Sequence, residues 1–296
     1  MNNELVTVII PTYNRAKLIN RAINSVLNQT YNNIELIIID DASEDNTEEI
    51  VKSINDDRIT YIKLEVNKGA CNARNIGIKE AKGKYITFQD SDDEYHKDKI
   101  EKQLNNLINN NSDLDFCKIE IINNDKHFVF PNEKQRKSIS NNKILDELCN
   151  GNFISTQAIF VKTDCIKKYL FDPEMPRLQD YDLVLRMVPK IKISYTDEIL
   201  VDLYTQTDSI SNSPEKLKNS IVLFLKKQYD LNDQQKTTLI NYLLNSNPDN
   251  SLKYEELYNN FIVLKNNYER LNYDYQNIVN SRRWKIADNI CNKIKK

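Results

Sequence analysis

The stretch Gly83-Lys84-Tyr85-Ile86-Thr87-Phe88-Gln89-Asp90-Ser91-Asp92-Asp93-Glu94 runs a short apolar segment straight into a cluster of carboxylates. Tyr85 to Phe88 are aromatic and β-branched and are bounded by Gly83, so they read as a short buried strand that ends at Asp90. Asp90, Asp92, Asp93 and Glu94 then crowd together, and like charges at such spacing repel by about 1 kcal/mol per close pair in water and by more in a shielded cleft. A hard cation removes that conflict. An Asp-x-Asp pair offering only oxygen ligands at a strand's C-terminal end suits Mg²⁺ or Mn²⁺ shared with a phosphate group. The competing reading is that Asp92 or Asp93 caps a helix from about Tyr95 to Leu107.

Outward from this stretch the chain alternates strands and helices. Val6 to Ile10 and Ile34 to Ile39 are continuous apolar runs, the mark of strands buried on both faces of a parallel sheet. Between them Leu18, Ile19, Ala22, Ile23, Val26 and Leu27 recur at helical spacing. A helix with Ile50, Val51 and Ile54 inward, a strand near Ile59 to Leu64, and a helix from Lys68-Gly69 to Ala81 follow. The pattern predicts an α/β fold with a mainly parallel sheet flanked by helices and a ligand crevice beyond the strands' carboxyl ends. Pro11 to Asn14, Asp40-Asp41, Lys68-Gly69 and Asp90 to Asp92 all fall at that edge. Phe116 to Ile122, Phe128 to Phe130 and Phe153 to Val161 read as further strands forming an acceptor half, with Ser155, Thr156 and Gln157 as candidate contacts.

Composition narrows the function. The 296 residues carry 41 basic and 43 acidic side chains, a net charge of −2, so bulk electrostatics predict no nucleic-acid partner. The five cysteines are odd in number and lack a Cys-x-x-Cys pair, which fits reduced thiols rather than a disulfide framework. His96 and His127 are the only histidines, which excludes a zinc site built on several of them. No apolar run reaches the ~18 residues of a membrane span and Met1-Asn2-Asn3-Glu4-Leu5 is no signal peptide, so the expected location is the cytoplasm. No glycine precedes Gly69, which disfavours dinucleotide folds, P-loops and sugar nucleotidyltransferases with a glycine-rich first loop.

Five ordered motifs now point one way. Val8-Ile9-Ile10-Pro11-Thr12-Tyr13-Asn14-Arg15, Ile38-Ile39-Asp40-Asp41-Ala42-Ser43, Asn67-Lys68-Gly69 with Ala73-Arg74-Asn75-Ile76-Gly77, Asp90-Ser91-Asp92-Asp93, and Gln179-Asp180-Tyr181-Asp182-Leu183 resemble the signature of glycosyltransferase family 2 with the GT-A fold. The likeness spans residues 4 to about 212. It implies a nucleotide-sugar donor, Mn²⁺ or Mg²⁺, and inverting transfer from a UDP-sugar to a hydroxyl of a saccharide or glycolipid acceptor in cell-surface polysaccharide synthesis.

By the same resemblance Asp41 accepts a hydrogen bond from the uracil ring, with Asp40 the structural member of the pair. Tyr13 offers a flat face to the base, Pro11 is the turn residue, and Lys68 contacts the donor at the Lys68-Gly69 turn. Either Lys68 or Arg74 faces the diphosphate. Asp92 is the direct metal ligand, Asp90 binds ribose or reaches the metal through water, and Ser91 belongs to the same donor-binding turn. Asp180 is implied as the catalytic base. Asp182 lies two residues on, so on a helix the two carboxylates point about 200° apart and only one faces the cleft. Where many relatives carry Tyr-Arg-x-His, this chain has Tyr204-Thr205-Gln206-Thr207-Asp208, so a third protein ligand for the metal is missing from that loop. The alternative function is a catalytically inactive nucleotide-sugar-binding scaffold acting through a coiled coil.

A domain over 1–215 is therefore expected, followed by a helical region over 216–296. Residues 216–246 carry two helical patterns. Tyr254, Leu257, Phe261, Leu264, Tyr268, Leu271, Tyr275 and Ile278 then recur at steps of three and four, which marks a heptad helix over about 252–280 and a homodimer through 254–278, or else one long helix packed on its own domain. The tail 281–296 sets Arg282, Arg283, Lys285 and Lys293 around Trp284, Ile286, Ile290 and Ile294. It reads either as a peripheral contact with the inner face of the cell membrane or as a solvated end. Light scattering on the full chain at micromolar concentration is expected to return twice the monomer mass; a monomeric mass rejects the dimer.

Overall fold

In the computed structural model, residues 3–123, 126–141, 143–206, 213–227 and 229–246 are described, with isolated positions beyond. Strand β1 (Val6–Thr12) is buried along its whole length and lies between β2 (Ile34–Asp40) and β4 (Tyr85–Phe88), parallel to both. Strand β3 (Ile59–Lys63) adds in parallel to β2. Helices α1 (Ile19–Leu27), α2 (Thr47–Ser53) and α3 (Ala70–Glu80) make the connections, and α1 buries Ile19, Ala22, Ile23 and Val26 as its periodicity predicts. Helix α3 packs against β1 so closely that a Cβ on Gly77 would stand 2.5 Å from Ile9 Cγ2.

The order β3-β2-β1-β4 reverses direction at β1, which makes the gap between the ends of β1 and β4 a topological switch point. The β1–β4 ladder stops at Ile9↔Phe88, whereas β1–β2 continues to Thr12↔Asp40. Pro11, which has no N–H to donate, falls just past the end of the β4 pairing. In open α/β sheets the ligand crevice lies at such a switch point.

Beyond β4 the sheet changes character. Strand β8 (Ile159–Lys162) runs antiparallel to both β4 and β6 (Leu114–Asn123), while β9 (Ile193–Tyr204) runs parallel to β6 through a register irregularity at Cys117 to Ile119. Strand β7 (Lys126–Phe130) forms an antiparallel pair with the distal part of β6, and the short helices α5 (Glu133–Ser140), α6 (Ile144–Leu148) and α7 (Thr163–Ile166) flank β8 in the chain. The result is a mixed α/β sheet whose parallel half carries the crevice. Phe153 to Val161 is not one strand as its composition suggests; a 3₁₀ turn, Thr156–Ala158, leads into the shorter β8.

The helix expected at Tyr95 to Leu107 begins later. Glu94–Tyr95 form the short β5, paired antiparallel with Asp202 and Val201 of β9, and α4 occupies Lys99–Asn109. Neither Asp92 nor Asp93 caps it, since Asp98 is the residue at its N-cap. Pairing with β9 outcompetes helix because it buries the Tyr95 ring, whose hydroxyl donates to the Phe88 carbonyl.

The first compact unit extends through Ser246. Helix α9 (Pro214–Lys226) buries Leu217, Ile221 and Phe224, and α10 (Asp233–Asn245) sends Leu239 and Leu243 into the same core. The heptad seam at 254–278 and the basic tail 281–296 lie outside the described residues apart from isolated positions. No helix among the described residues is long and apolar enough to cross a membrane.

The Lys99 side chain is fully buried. Lys99 Nζ donates to Thr87 Oγ1 at 2.9 Å and lies 4.1 Å from the Tyr95 ring centroid. Burial lowers its amine from 10.5 to about 8. Between those values the unfolded chain still holds the proton and the folded chain has released it, so stability rises with pH across that window. Lys99→Met is expected to gain about 1–3 kcal/mol over the parent at pH 7. Thermal unfolding from pH 8 to 10.5 should show that margin narrowing; a constant margin would mean the amine is not depressed.

Candidate functional site

The first wall of the crevice is built by the loops after β1 and β2. Asp40 is fully buried, accepting from the Ser43 N–H at 2.7 Å and from the Tyr61 hydroxyl at 2.5 Å, so it is consumed by structure as expected. Asp41 is also engaged: its Oδ1 accepts from the Lys68 N–H at 2.8 Å and its Oδ2 from the Gly69 N–H at 2.6 Å. A carboxylate has about four acceptor positions, so these two bonds leave capacity for a ligand donor. They also explain the Lys68-Gly69 turn: Gly69 holds φ of 86°, and the Asp41 carboxylate fixes the turn at the start of α3. The Lys68 side chain itself is exposed, and Pro11 is buried.

Tyr13 is 41 % exposed at the rim of this wall. Its loop is clamped to the loop after β2 by Asn14 N–H to Ser43 Oγ at 2.8 Å, Glu44 N–H to Asn14 Oδ1 at 2.9 Å and Arg15 N–H to Thr47 Oγ1 at 3.0 Å. Asn14 and Ala42 both adopt left-handed backbone, with φ of 51° and 66°. Such conformations are costly for non-glycine residues and persist only where surrounding bonds hold them.

The opposite wall is the carboxylate cluster after β4. Asp90 Oδ1 pairs with Arg74 Nη2 at 2.7 Å and Asp90 Oδ2 accepts from Gln157 Nε2 at 2.8 Å. Gln157 Nε2 also donates to Asp93 Oδ2 at 2.5 Å, and the Tyr204 N–H donates to Asp93 Oδ1 at 3.0 Å. Asp93 is buried, and burial first, then the neighbouring Asp90 and Asp92, pushes its carboxyl well above the usual range. Asp93 is thus a structural post between β4 and β9. Ser91 is buried in the same turn, and Arg21 donates to the Asp92 carbonyl while stacking 3.8 Å from the Tyr204 ring centroid.

Arg74 is the residue on which both sides converge. Its Nη1 donates to Gln179 Oε1 at 3.0 Å, so one guanidinium bridges the Asp90 turn and the start of α8 (Gln179–Met187). Its Nε is buried without a hydrogen-bond partner among the described residues. Gln179 immediately precedes Asp180, whose carboxyl is raised by burial, lowered by Arg74 and raised again by Asp90. Leu178, at the N-cap of this helix, adopts left-handed backbone with φ of 58°. Asp182 faces the other way, fully buried among Arg186, Lys227 and Tyr229.

Among the described residues no cluster of three His, Cys, Asp or Glu side chains is arranged to hold a metal. Asp90 and Asp92 supply carboxylate oxygens at one strand end, a donor set that suits Mg²⁺ or Mn²⁺ completed by phosphate oxygens and water. Thr12 Oγ1 and both ends of the Gln89 amide are buried without a hydrogen-bond partner among the described residues, at the ends of β1 and β4. Orphaned polar atoms on both sides of a crevice fit a site that awaits a polar ligand. Sequence reading did not find Arg21 or the bridging role of Gln157, which it had placed among acceptor contacts. Neither stands in a local pattern that signals its partner.

A family model described as glycosyl transferase family 2 matches residues 7–166, which includes the first wall and the Asp90 turn but not Asp180. An uncharacterized glycosyltransferase of Haemophilus influenzae is 34% identical over 233 residues, 76% of this chain and 88% of the relative. The UDP-Glc:alpha-D-GlcNAc-diphosphoundecaprenol beta-1,3-glucosyltransferase WfgD of Escherichia coli is 35% identical over 251 residues, 83% of this chain and 93% of that protein. Among solved structures, S. aureus TarS 1–349 in complex with UDP-GlcNAc superposes with a TM-score of 0.65 at 23% identity, covering 80% of this chain and 71% of that one. It shares the fold.

Arg74→Lys is expected to fail as a conservative change, because one ammonium cannot span Asp90 and Gln179 as a planar fork does. Loss of one charge-assisted bond, about 1.5–3 kcal/mol, should lower Tm by roughly 3–12 °C in a scanning-calorimetry comparison. A parental Tm would show that the bridge contributes nothing.

Proposed function

The chain belongs to glycosyl transferase family 2 and is a glycosyltransferase; we propose that it moves a sugar from a UDP-sugar to a hydroxyl of a lipid-linked saccharide, with inversion and with Asp180 as general base. The observation that supports this reading is the Arg74 bridge, which ties the Asp90 turn to Gln179, the chain neighbour of Asp180, from positions far apart in the chain. Donor and acceptor sites must share such a crevice for direct displacement.

Tyr13 and Asp41 on the first wall would take the uracil, by stacking and by accepting a ring N–H. Lys68, Asp90 and Ser91 would line the path of the ribose and diphosphate, with Pro11 shaping the turn beneath. Asp92, with Asp90, would hold Mn²⁺ or Mg²⁺, which when bound stabilises negative charge on the departing diphosphate. Asp180 accepts the proton of the acceptor hydroxyl as that oxygen attacks the anomeric carbon from the face opposite the diphosphate. Burial raises its proton affinity, which suits a base, while Arg74 limits the rise so that the carboxylate remains available.

The WfgD relative, whose name specifies UDP-Glc and a diphosphoundecaprenol-linked acceptor, supports a UDP-sugar and a polyprenol-linked substrate. A membrane-embedded acceptor of that kind also gives the basic tail 281–296 a role at the inner face of the membrane, with 254–278 as the dimer seam. The inactive-scaffold reading has less support, since the Asp-x-Asp pair and Asp180 are all present.

The test is UDP release with a polyprenol-diphosphate sugar acceptor across a panel of UDP-sugars and with Asp180→Asn. The variant should keep UDP affinity within a few-fold while transfer falls about 100-fold or more. Because the Asp180 carboxyl is raised, the acid limb of kcat/KM should lie above the ordinary carboxylate range, activity being lost as pH falls through it. That limb should vanish in the Asn variant. Unchanged turnover would remove Asp180 from the role of base.

A further inference from the structure

The side of α8 that turns away from the crevice carries an unusually complete set of charged bonds. Asp182, 0% exposed, accepts from Lys227 Nζ at 2.6 Å and the Tyr229 hydroxyl at 2.8 Å on one oxygen, and from Arg186 Nε at 2.9 Å and Nη2 at 2.8 Å on the other. Lys227 also pairs with Asp172 at 2.5 Å, and Arg186 donates to the Tyr169 and Leu170 carbonyls at 2.7 and 2.8 Å. Tyr169, Asp172, Arg186, Lys227 and Tyr229 line a pocket of about 380 Å³. Its charges are already paired, so it reads as an attachment point rather than a ligand site.

Lys227 and Tyr229 belong to the connection between α9 and α10, outside the five sequence motifs. The same two helices grip the start of α8 at other points. Ser220 of α9 accepts from the Arg177 N–H at 2.8 Å and donates to the Arg177 carbonyl at 2.9 Å, one residue before the left-handed Leu178. The Tyr181 ring packs on Phe224 and Tyr242, at 5.3 and 6.2 Å between centroids. Arg177, Tyr181 and Asp182 bracket Gln179 and Asp180, so the rotation of this first helical turn is fixed from behind. A helix turned about its axis by some 10° would carry a side-chain carboxylate about 5 Å from the axis roughly 1 Å sideways, and a 1 Å misplacement can cost 10²-fold in rate.

The geometry points to the α9–α10 pair as the positioning element of the base, with Asp182, Lys227 and Tyr229 as positioning residues that hold Asp180 toward Arg74 and the crevice. This rests on the reading of Asp180 as general base. Tyr229 is the sharpest probe, because its ring is stacked on Phe224 at 5.4 Å and Tyr229→Phe removes only the hydroxyl that reaches Asp182.

The full-length enzyme is compared as parent, Tyr229→Phe, Lys227→Met, Lys227→Arg and Asp180→Asn, with Val51→Ala in α2 as a core substitution elsewhere in the unit. At a temperature where all are folded by circular dichroism, Tyr229→Phe is expected to lower kcat about 3–10-fold and Lys227→Met about 10–100-fold. KM for the UDP-sugar and UDP affinity should stay within two-fold, Lys227→Arg should recover most of the loss, and Val51→Ala should lower Tm without lowering kcat. If Lys227→Met does not fold, Tyr229→Phe decides alone. Parental kcat in folded Tyr229→Phe, with transfer abolished in Asp180→Asn, overturns the positioning role and leaves the base reading standing. Parental kcat in Asp180→Asn overturns the base reading and the positioning role with it.

Discussion

A buried guanidinium is the constraint around which this molecule is arranged. Arg74 lies on α3, behind the parallel half of the sheet, and reaches Asp90 at 2.7 Å and Gln179 at 3.0 Å. A charge with so little access to water must be paired, since leaving it unpaired costs several kcal/mol. The pairing obliges the strand-end turn after β4 and the first turn of α8 to stay together. What chemistry the crevice performs depends on that obligation.

The same bond shapes the charge balance of the cluster. Asp90, Asp92 and Asp93 stand within one turn, and three ionised carboxylates there would repel strongly. Arg74 pairs with Asp90, whereas Asp93, buried and facing its acidic neighbours, has its proton affinity raised. Gln157 donates to both carboxylates and so ties the turn to β8 without adding charge.

Backbone strain gathers at the same edge. Asn14, Ala42 and Leu178 are left-handed without being glycine, and each adjoins a residue assigned to the site: Tyr13, Asp41 and, one residue further on, Asp180. Cross-loop bonds from Ser43, Thr47 and Asp45 hold the first two loops together. Rigid strand ends with strained, clamped loops provide preorganisation that mobile loops would lack.

Much of this was legible in the sequence. The continuous apolar runs of β1 and β2 and the helical spacing in α1 specified a parallel α/β half, and parallel βα units place every strand's carboxyl end at one edge; hence Tyr13, Asp41, Gly69 and Asp90 could be assigned to a common crevice before any coordinates. The opposed faces of Asp180 and Asp182 followed from helical pitch alone. Tertiary structure decided the rest, because it depends on partners distant in the chain. Glu94–Tyr95 became strand because β9 was there to pair with it, Gln157 became a bridge because β8 runs antiparallel beside β4, and Asp182 became a buried anchor because Lys227 and Tyr229 fold back onto it. Local periodicity encodes which face of an element is apolar; which charge meets which is set only when strand order and burial bring those faces together.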